Sequence, residues 1–374
     1  MKKNICVFTT TRADYSLLKN LVLNLQKIKK FKTTLVVSGT HLSKRFGYTL
    51  SDVRKDKIKN IKKIKIDSIN KSSDYNSIFN ETFKRISSFL KNKKIDLVII
   101  LGDRFETLAI SIPCFLRRIP ICHLHGGEKT LGSIDNNIRN AITSISKYHF
   151  TANEDFKNNV KKIVGNSPHV ESVGAMFLDN LSSKKKVKKE NIEKKFNFKF
   201  KKKNMIVTLH PETLSKINEK KQIQTVLNSL VKFKDVFFIF TAPNIDYGSK
   251  IFFKEIKSFV KKNINSVFIK SLGDGFYHSI IGFSDGVLGN SSSGIIEVPY
   301  FRKGTINIGD RQKGRPQEKT IINTTFSKSS IIKSIKKLYS KKFQLRLRFF
   351  RAKNYGRSGA AKKIVNRIKY KFIK

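Results

Sequence analysis

The chain reads as two doubly wound α/β domains, each built on a parallel sheet. Three observations predict this: short apolar runs recur through both halves, each run ends in a polar, ligand-capable turn, and helical stretches separate the runs. In a parallel sheet the loops at the carboxyl ends of the strands face the ligand crevice. Charged residues at successive strand ends therefore point to a site rather than to a scatter of surface charge.

The first strand is Asn4-Ile5-Cys6-Val7-Phe8, followed by Thr9-Thr10-Thr11-Arg12-Ala13-Asp14-Tyr15. Thr34-Leu35-Val36-Val37 is the second, ending in Ser38-Gly39-Thr40-His41. Residues 95–101 are apolar except for Asp96, as expected of a strand covered on both faces, and Gly102-Asp103-Arg104-Phe105-Glu106 follows them. A helical stretch over 107–117 leads to a shorter strand over 119–122 and then to His123-Leu124-His125-Gly126-Gly127-Glu128. The arrangement delivers Asp103, Glu106, His123, His125 and Glu128 toward one place, which has the look of an active site.

From Ser182 to Lys203 the alternation is interrupted by lysine-rich sequence, whose charge favours exposure. It is the candidate domain boundary, giving a first domain over 1–181, a basic linker over 182–203, a second domain over 204–350 and a C-terminal helix over 351–374. In the second domain the strands 204–209, 236–240 and 267–269 lead into His210-Pro211-Glu212-Thr213, Thr241-Ala242-Pro243-Asn244 and Lys270-Ser271-Leu272-Gly273. Short strands at 286–288 and 305–308 end in Gly289-Asn290-Ser291-Ser292-Ser293-Gly294 and in Gly309-Asp310-Arg311-Gln312-Lys313-Gly314-Arg315. The crevice between two such domains is the default ligand site.

Gly289 to Glu297 carries the clearest phosphate chemistry. Small residues admit a ligand to the backbone, three serines offer hydroxyls, and Ile295-Ile296-Glu297 is expected to begin a helix whose positive end would face an anion. An N-cap and tight turn without a ligand would explain the same residues. Gly309 to Gly314 has Walker-like glycine spacing, but Arg315-Pro316 stands where that motif needs Lys-Ser/Thr, so a P-loop is rejected. No Gly-x-Gly-x-x-Gly follows the first strand, and no His-Glu-x-x-His helix supports a metal.

Composition sets the remaining bounds. The 374 residues include 39% hydrophobic side chains, enough for two cores, and contain no apolar run of membrane-spanning length. The start leads straight into a core strand, so a cytoplasmic protein is expected. Cys6, Cys114 and Cys122 read as reduced core residues. The 77 Lys+Arg against 27 Asp+Glu give a formal charge of +50, alongside 30 Phe. Spread over nearly every predicted surface, the lysines read as compositional drift of solvated faces, and a positive field would also speed capture of an anionic nucleotide.

Taken in order, Thr11-Arg12-Ala13-Asp14-Tyr15, Gly102-Asp103-Arg104-Phe105-Glu106, His125-Gly126-Gly127-Glu128, Ser133-Ile134-Asp135-Asn136 with Arg139, residues 289–297 and residues 309–315 resemble the hydrolysing UDP-N-acetylglucosamine 2-epimerases of sialic acid biosynthesis. The resemblance runs from near residue 5 to about residue 320. It implies two Rossmann-like domains of the glycosyltransferase B type, release of UDP and N-acetylmannosamine, and a last helix that packs back on the first domain. It also implies acid/base work by Asp103, Glu128 and Asp135 with His210 beside them, and a nucleotide held by Arg12, Ser291, Ser292, Glu297 and Arg311. The expected partners are a UDP-sugar and further copies of the chain, with no cofactor, metal, membrane or specific nucleic acid. Asn136-Asn137 and Pro211-Glu212-Thr213 depart from the pattern and leave open a second substrate, a UDP- or GDP-linked diacetamido-trideoxyhexose of legionaminic acid synthesis. A glycosyltransferase of the same plan and a basic nucleic-acid-binding protein are the rivals from other classes. Alternative structural roles are a helix N-cap for Asp103 and an ion pair with Arg139 for Asp135.

Overall fold

A computed structural model describes the chain apart from residues 1, 72–73, 132–133, 184–186, 213, 244–247, 271, 273 and 374. Ser133, Thr213, Asn244, Ser271, Gly273 and the first lysines of the expected linker thus lie outside the described residues. The fold comprises two compact units. The first contains Met1–Glu128, Asp135–Ser183 and Tyr355–Lys374; the second contains Lys129–Ile134 and Lys184–Asn354.

The first unit holds strands β1 (Lys3–Thr9), β2 (Phe31–Val37), β3 (Ile61–Lys63), β4 (Leu97–Leu101), β5 (Ile121–Leu124), β6 (Tyr148–Thr151) and β7 (Val170–Ser172). They form one sheet in the order β3-β2-β1-β4-β5-β6-β7, and every pairing in it is parallel. The second unit holds β8 (Lys203–Thr208), β9 (Val236–Thr241), β10 (Ser266–Ile269), β11 (Gly286–Gly289), β12 (Gly304–Ile308) and β13 (Ile321–Thr324). Their order, β10-β9-β8-β11-β12-β13, repeats the doubly wound plan.

The unbroken apolar runs follow from burial on both faces. Ile5, Val7, Leu35, Val37, Leu97 and Ile99 pack with Leu18, Leu21, Val22 and Leu25 of the helix Arg12–Gln26 and with Ile364, Val365 and Ile368 of the last helix, Ala360–Ile373. Their sequence neighbours Cys6, Phe8, Val36, Val98 and Ile100 face the other way, onto Ile78, Ile86 and Leu90 of Tyr75–Leu90 and onto Ile110 and Cys114 of Phe105–Leu116. Side chains of period two thus feed two cores, and each fully buried leucine contributes about 1.5–3 kcal/mol. The second sheet repeats the pattern, with Met205, Val207, Phe238 and Phe240 on one face and Ile206, Phe237 and Ile239 on the other.

Two expectations need correction. Much of the stretch expected to be an exposed basic linker is built into the second unit: Ile192 on the helix Lys189–Phe196, together with Phe198 and Phe200, is buried against Phe237 and Ile281. Its lysines face outward while one aliphatic and two aromatic residues turn in, a pattern that net charge alone hides. The helix near the serine-rich turn runs Ser292–Ile296 and ends, rather than begins, at Glu297, which is its C-cap. Pro299 follows two residues later in a 3₁₀ turn. All three cysteines are buried and free, and burial pushes the thiols of Cys6 and Cys114 up to about 11 and about 12.

Candidate functional site

In the first unit the strand order reverses between β1 and β4, and the polar loops gather there and at β5. Adjacent register between β4 and β5 sets Leu101 beside Leu124, so Asp103 and the loop 125–128 leave neighbouring strand ends. Arg139, one turn into the helix Asp135–Ser144 and 1% exposed, joins them: one Nη donates to the Asp103 carboxylate and the other to the Glu128 carbonyl oxygen, 2.6 Å away. Asp135 opens the same helix. The structure therefore ties the Asp103 carboxylate and the Glu128 backbone to one buried guanidinium, on the helix that Asp135 opens. Asp103 is not the N-cap of the helix Phe105–Leu116, whose cap is Arg104. Arg104 instead grips the buried Glu106 with two hydrogen bonds, at 2.9 and 3.1 Å.

Two histidines orient this loop. The Met176 backbone N–H donates to His125 Nε2 at 3.3 Å, so the ring proton sits on Nδ1, which donates to Glu128 Oε1 at 3.2 Å. His123 donates from Nε2 to the Gly102 carbonyl at 2.8 Å and accepts from the Thr143 hydroxyl on Nδ1. Burial lowers its pKa to about 3, so it is a neutral strut at physiological pH. Gly127 has φ +79, and a Cβ there would come within 2.1 Å of the Phe156 carbonyl oxygen. The His-Gly-Gly-Glu turn can close only with glycine at that position.

Arg12 opens the helix Arg12–Gln26 after β1. Thr11 and Asp14 form a capping box around its first turn, so Asp14 serves the helix. Arg12 is half-buried; burial lowers its pKa, Asp52 opposes that shift, and its charge acts on His41 at the end of β2.

In the second unit the reversal lies between β8 and β11, and it is stitched by one side chain. The Asn290 amide accepts from the His210 N–H and donates to the His210 carbonyl, both at 2.8 Å. The Asn290 carbonyl in turn accepts from Gln312 at 2.8 Å and from Arg311 at 3.4 Å. His210, Arg311 and the turn carrying Ser291 and Ser292 are thereby brought together. His210 is fully buried, and burial with the nearby Arg311 charge holds its pKa well below the usual value. Glu212 accepts from the Asp310 N–H at 3.1 Å and fixes the Gly309–Arg311 turn. At Gly309, φ +74, a Cβ would meet a Glu212 carboxylate oxygen at 2.1 Å. Glu297 is held by His278 Nε2 at 2.7 Å, and Ser293 by the Tyr277 hydroxyl at 2.8 Å.

Asn290, Glu212 and His278 are residues to which the sequence reading gave no role, whereas His125 and Arg139 already stood in its motifs. His125 and Asn290 sit at strand ends and carried that signal. His278, inside an apolar helix, carried none. Among the described residues no group of three or more His, Cys, Asp or Glu is disposed as a metal site.

Two parallel α/β units with polar loops gathered where strand order reverses define a protein of the glycosyltransferase B type. A family model described as UDP-N-acetylglucosamine 2-epimerase matches residues 23–369, and the chain belongs to that family. It is 35% identical over 347 residues to the GDP/UDP-N,N'-diacetylbacillosamine 2-epimerase (hydrolyzing) of Campylobacter jejuni, covering 92% of this chain and 89% of the relative. It is 34% identical to polysialic acid biosynthesis protein P7 of Escherichia coli, covering 91% and 87%. The UDP-GlcNAc 2-epimerase from Neisseria meningitidis, solved bound to UDP-GlcNAc, has the same fold, with TM-score 0.80 at 20% identity over 98% of this chain and 100% of that one. No helix among the described residues is long and apolar enough to cross a membrane.

Proposed function

We propose that this protein is a hydrolysing 2-epimerase that converts UDP-N-acetylglucosamine and water to UDP and N-acetylmannosamine. The observation that carries the reading is the buried guanidinium of Arg139, which holds the Asp103 carboxylate and the Glu128 backbone carbonyl at adjacent strand ends, in a chain that matches the epimerase family over most of its length.

The hydrogen on the carbon bearing the acetamido group is weakly acidic, so its removal needs a positioned base while UDP departs from the neighbouring carbon. The C–H electron pair becomes the second bond of a glycal, and the C–O pair leaves with UDP. Water then adds its hydroxyl to the anomeric carbon, and a proton returns to the acetamido-bearing carbon from the opposite face. Asp103, Glu128 and Asp135 are the acid/base residues, and His210 is the further candidate. His125 donates to Glu128 and so fixes which carboxylate lone pairs stay available. Charge that develops on the departing phosphate needs donors already in place. Arg311, Ser291, Ser292 and Arg12 supply them, and Glu297 takes a hydroxyl of the nucleoside.

A second reading changes only the sugar: the Campylobacter relative, named for diacetylbacillosamine, favours a UDP- or GDP-linked 2,4-diacetamido-trideoxyhexose. One experiment tests both. Each sugar nucleotide is incubated with the protein in heavy water, nucleotide release is followed, and the sugar is examined by NMR. The expected product carries one deuterium on the acetamido-bearing carbon and has the manno configuration. Rapid release from the diacetamido substrate alone transfers the function to that sugar. An undeuterated product of retained configuration makes the protein a simple sugar-nucleotide hydrolase.

A further inference from the structure

We infer that His278 is a positioning residue for nucleotide selection: it aims the Glu297 carboxylate so that Glu297 can select a nucleoside diphosphate by its ribose hydroxyls. The inference rests on the role proposed for Glu297 and adds the residue that makes that role specific. The helix Asp274–Phe283 presents two consecutive side chains to the turn 291–297. The Tyr277 hydroxyl meets the Ser293 hydroxyl at 2.8 Å, and His278 Nε2 meets Glu297 Oε2 at 2.7 Å, so one helix holds the turn near its start and at its end. An ionised carboxylate only accepts, so Nε2 carries the ring proton and donates.

The ordinary explanation is a structural pair, and two observations go beyond it. Glu297 is the C-cap of the helix Ser292–Ile296, the end where partial negative charge disfavours a carboxylate, so stability alone gives no reason for glutamate there. The His278 side chain is 11% exposed while that of Glu297 keeps 21% in solvent, and among the described residues only His278 donates to this carboxylate. One oxygen is therefore fixed and the other is open to a ligand. The His278 ring is itself held, lying against Phe301 with ring centroids 5.5 Å apart and against Tyr277 at 5.9 Å. A ring locked by packing restricts rotation of the carboxylate it holds. An incoming hydroxyl then finds its acceptor already aimed, without the side-chain entropy that a free carboxylate loses on binding. A nucleoside lacking that hydroxyl leaves the acceptor desolvated and unpaired, which is the strongest basis for rejecting it.

The test uses the full chain and two ligands, UDP and its analogue lacking both ribose hydroxyls, titrated calorimetrically beside steady-state turnover of the sugar nucleotide. Wild type is expected to bind UDP at least about tenfold more tightly than the analogue. His278→Phe keeps a ring against Phe301 and removes the donor. In it UDP binding weakens about tenfold, the affinity for the analogue is unchanged, and KM rises with little change in kcat, as when binding is lost equally from ground and transition states. His278→Gln, which can return an N–H to Oε2, restores part of the preference, and Glu297→Gln loses it. Equal weakening of both ligands in His278→Phe marks a merely structural pair and overturns the inference. A UDP preference that survives His278→Phe overturns it too. A wild type that binds both ligands alike overturns the nucleoside role of Glu297, and the inference with it. Binding is read without turnover, so these outcomes stay separate from failure of the epimerase reaction.

Discussion

At the residue scale the first unit depends on Arg139. Its guanidinium is nearly inaccessible while its partner Asp103 keeps about a quarter of its surface in water, so the pair is anchored from one side. Removing one member of a buried pair leaves the other charge without compensation. Arg139→Gln is expected to lower the free energy of unfolding by about 3 kcal/mol and to release the Asp103 carboxylate and the Glu128 backbone. Glu128→Gln keeps the shape and the hydrogen bond to His125 at one oxygen, so it should fold normally and lose roughly a hundredfold in turnover. Denaturant unfolding and steady-state UDP release separate the two effects. Wild-type turnover in a folded Glu128→Gln protein would remove that residue from the mechanism. The strand-end rule made Asp103 and Glu128 visible in sequence. Arg139 was visible only as a residue one turn beyond Asp135, because its true partners lie 36 and 11 positions away.

At the element scale, central strands were legible because residues such as those of 97–101 are apolar on both faces and tolerate no polar interruption. The edge strands β3, β7 and β13 were not: Ile61-Lys62-Lys63 and Val170-Glu171-Ser172 each offer a single apolar residue, and they are strands because a neighbour supplies the hydrogen bonds. In β6, Tyr148-His149-Phe150-Thr151, polar residues hide a buried strand. The last helix depends on contact that no local pattern reveals. Asp179, on the helix Phe177–Ser183, accepts from the backbone N–H groups of Gly359, Ala360 and Ala361, the last at 2.8 Å. A carboxylate from far along the chain thus caps the helix Ala360–Ile373 and favours its positive end. Asp179→Ala should cost about 1–3 kcal/mol and raise amide exchange across residues 360–373 before the rest of the unit. Uniform protection in that variant would show that burial of Ile364, Val365 and Ile368 alone holds the helix.

At the scale of the whole molecule two sources of acid sensitivity compete. The formal charge of +50 repels itself, more so as carboxylates protonate. Buried histidines act differently. Burial lowers His41 and His149 to about 4, His123 to about 3 and His210 well below its usual value. In the unfolded chain each takes a proton at about pH 6.5, so from there down to about pH 4 the unfolded state binds more protons than the folded one. Stability is therefore present above pH 6.5 and falls as pH drops through that window, by up to about 1.4 kcal/mol per unit for each histidine. Salt distinguishes the two sources, because it screens surface repulsion and leaves the burial penalty nearly intact. Thermal midpoints measured from pH 7 to pH 4.5 at low and high salt should fall at both, with a slope that His149→Gln makes shallower. A fall that high salt abolishes would assign the acid sensitivity to the lysine-rich surface and leave the buried histidines out of it.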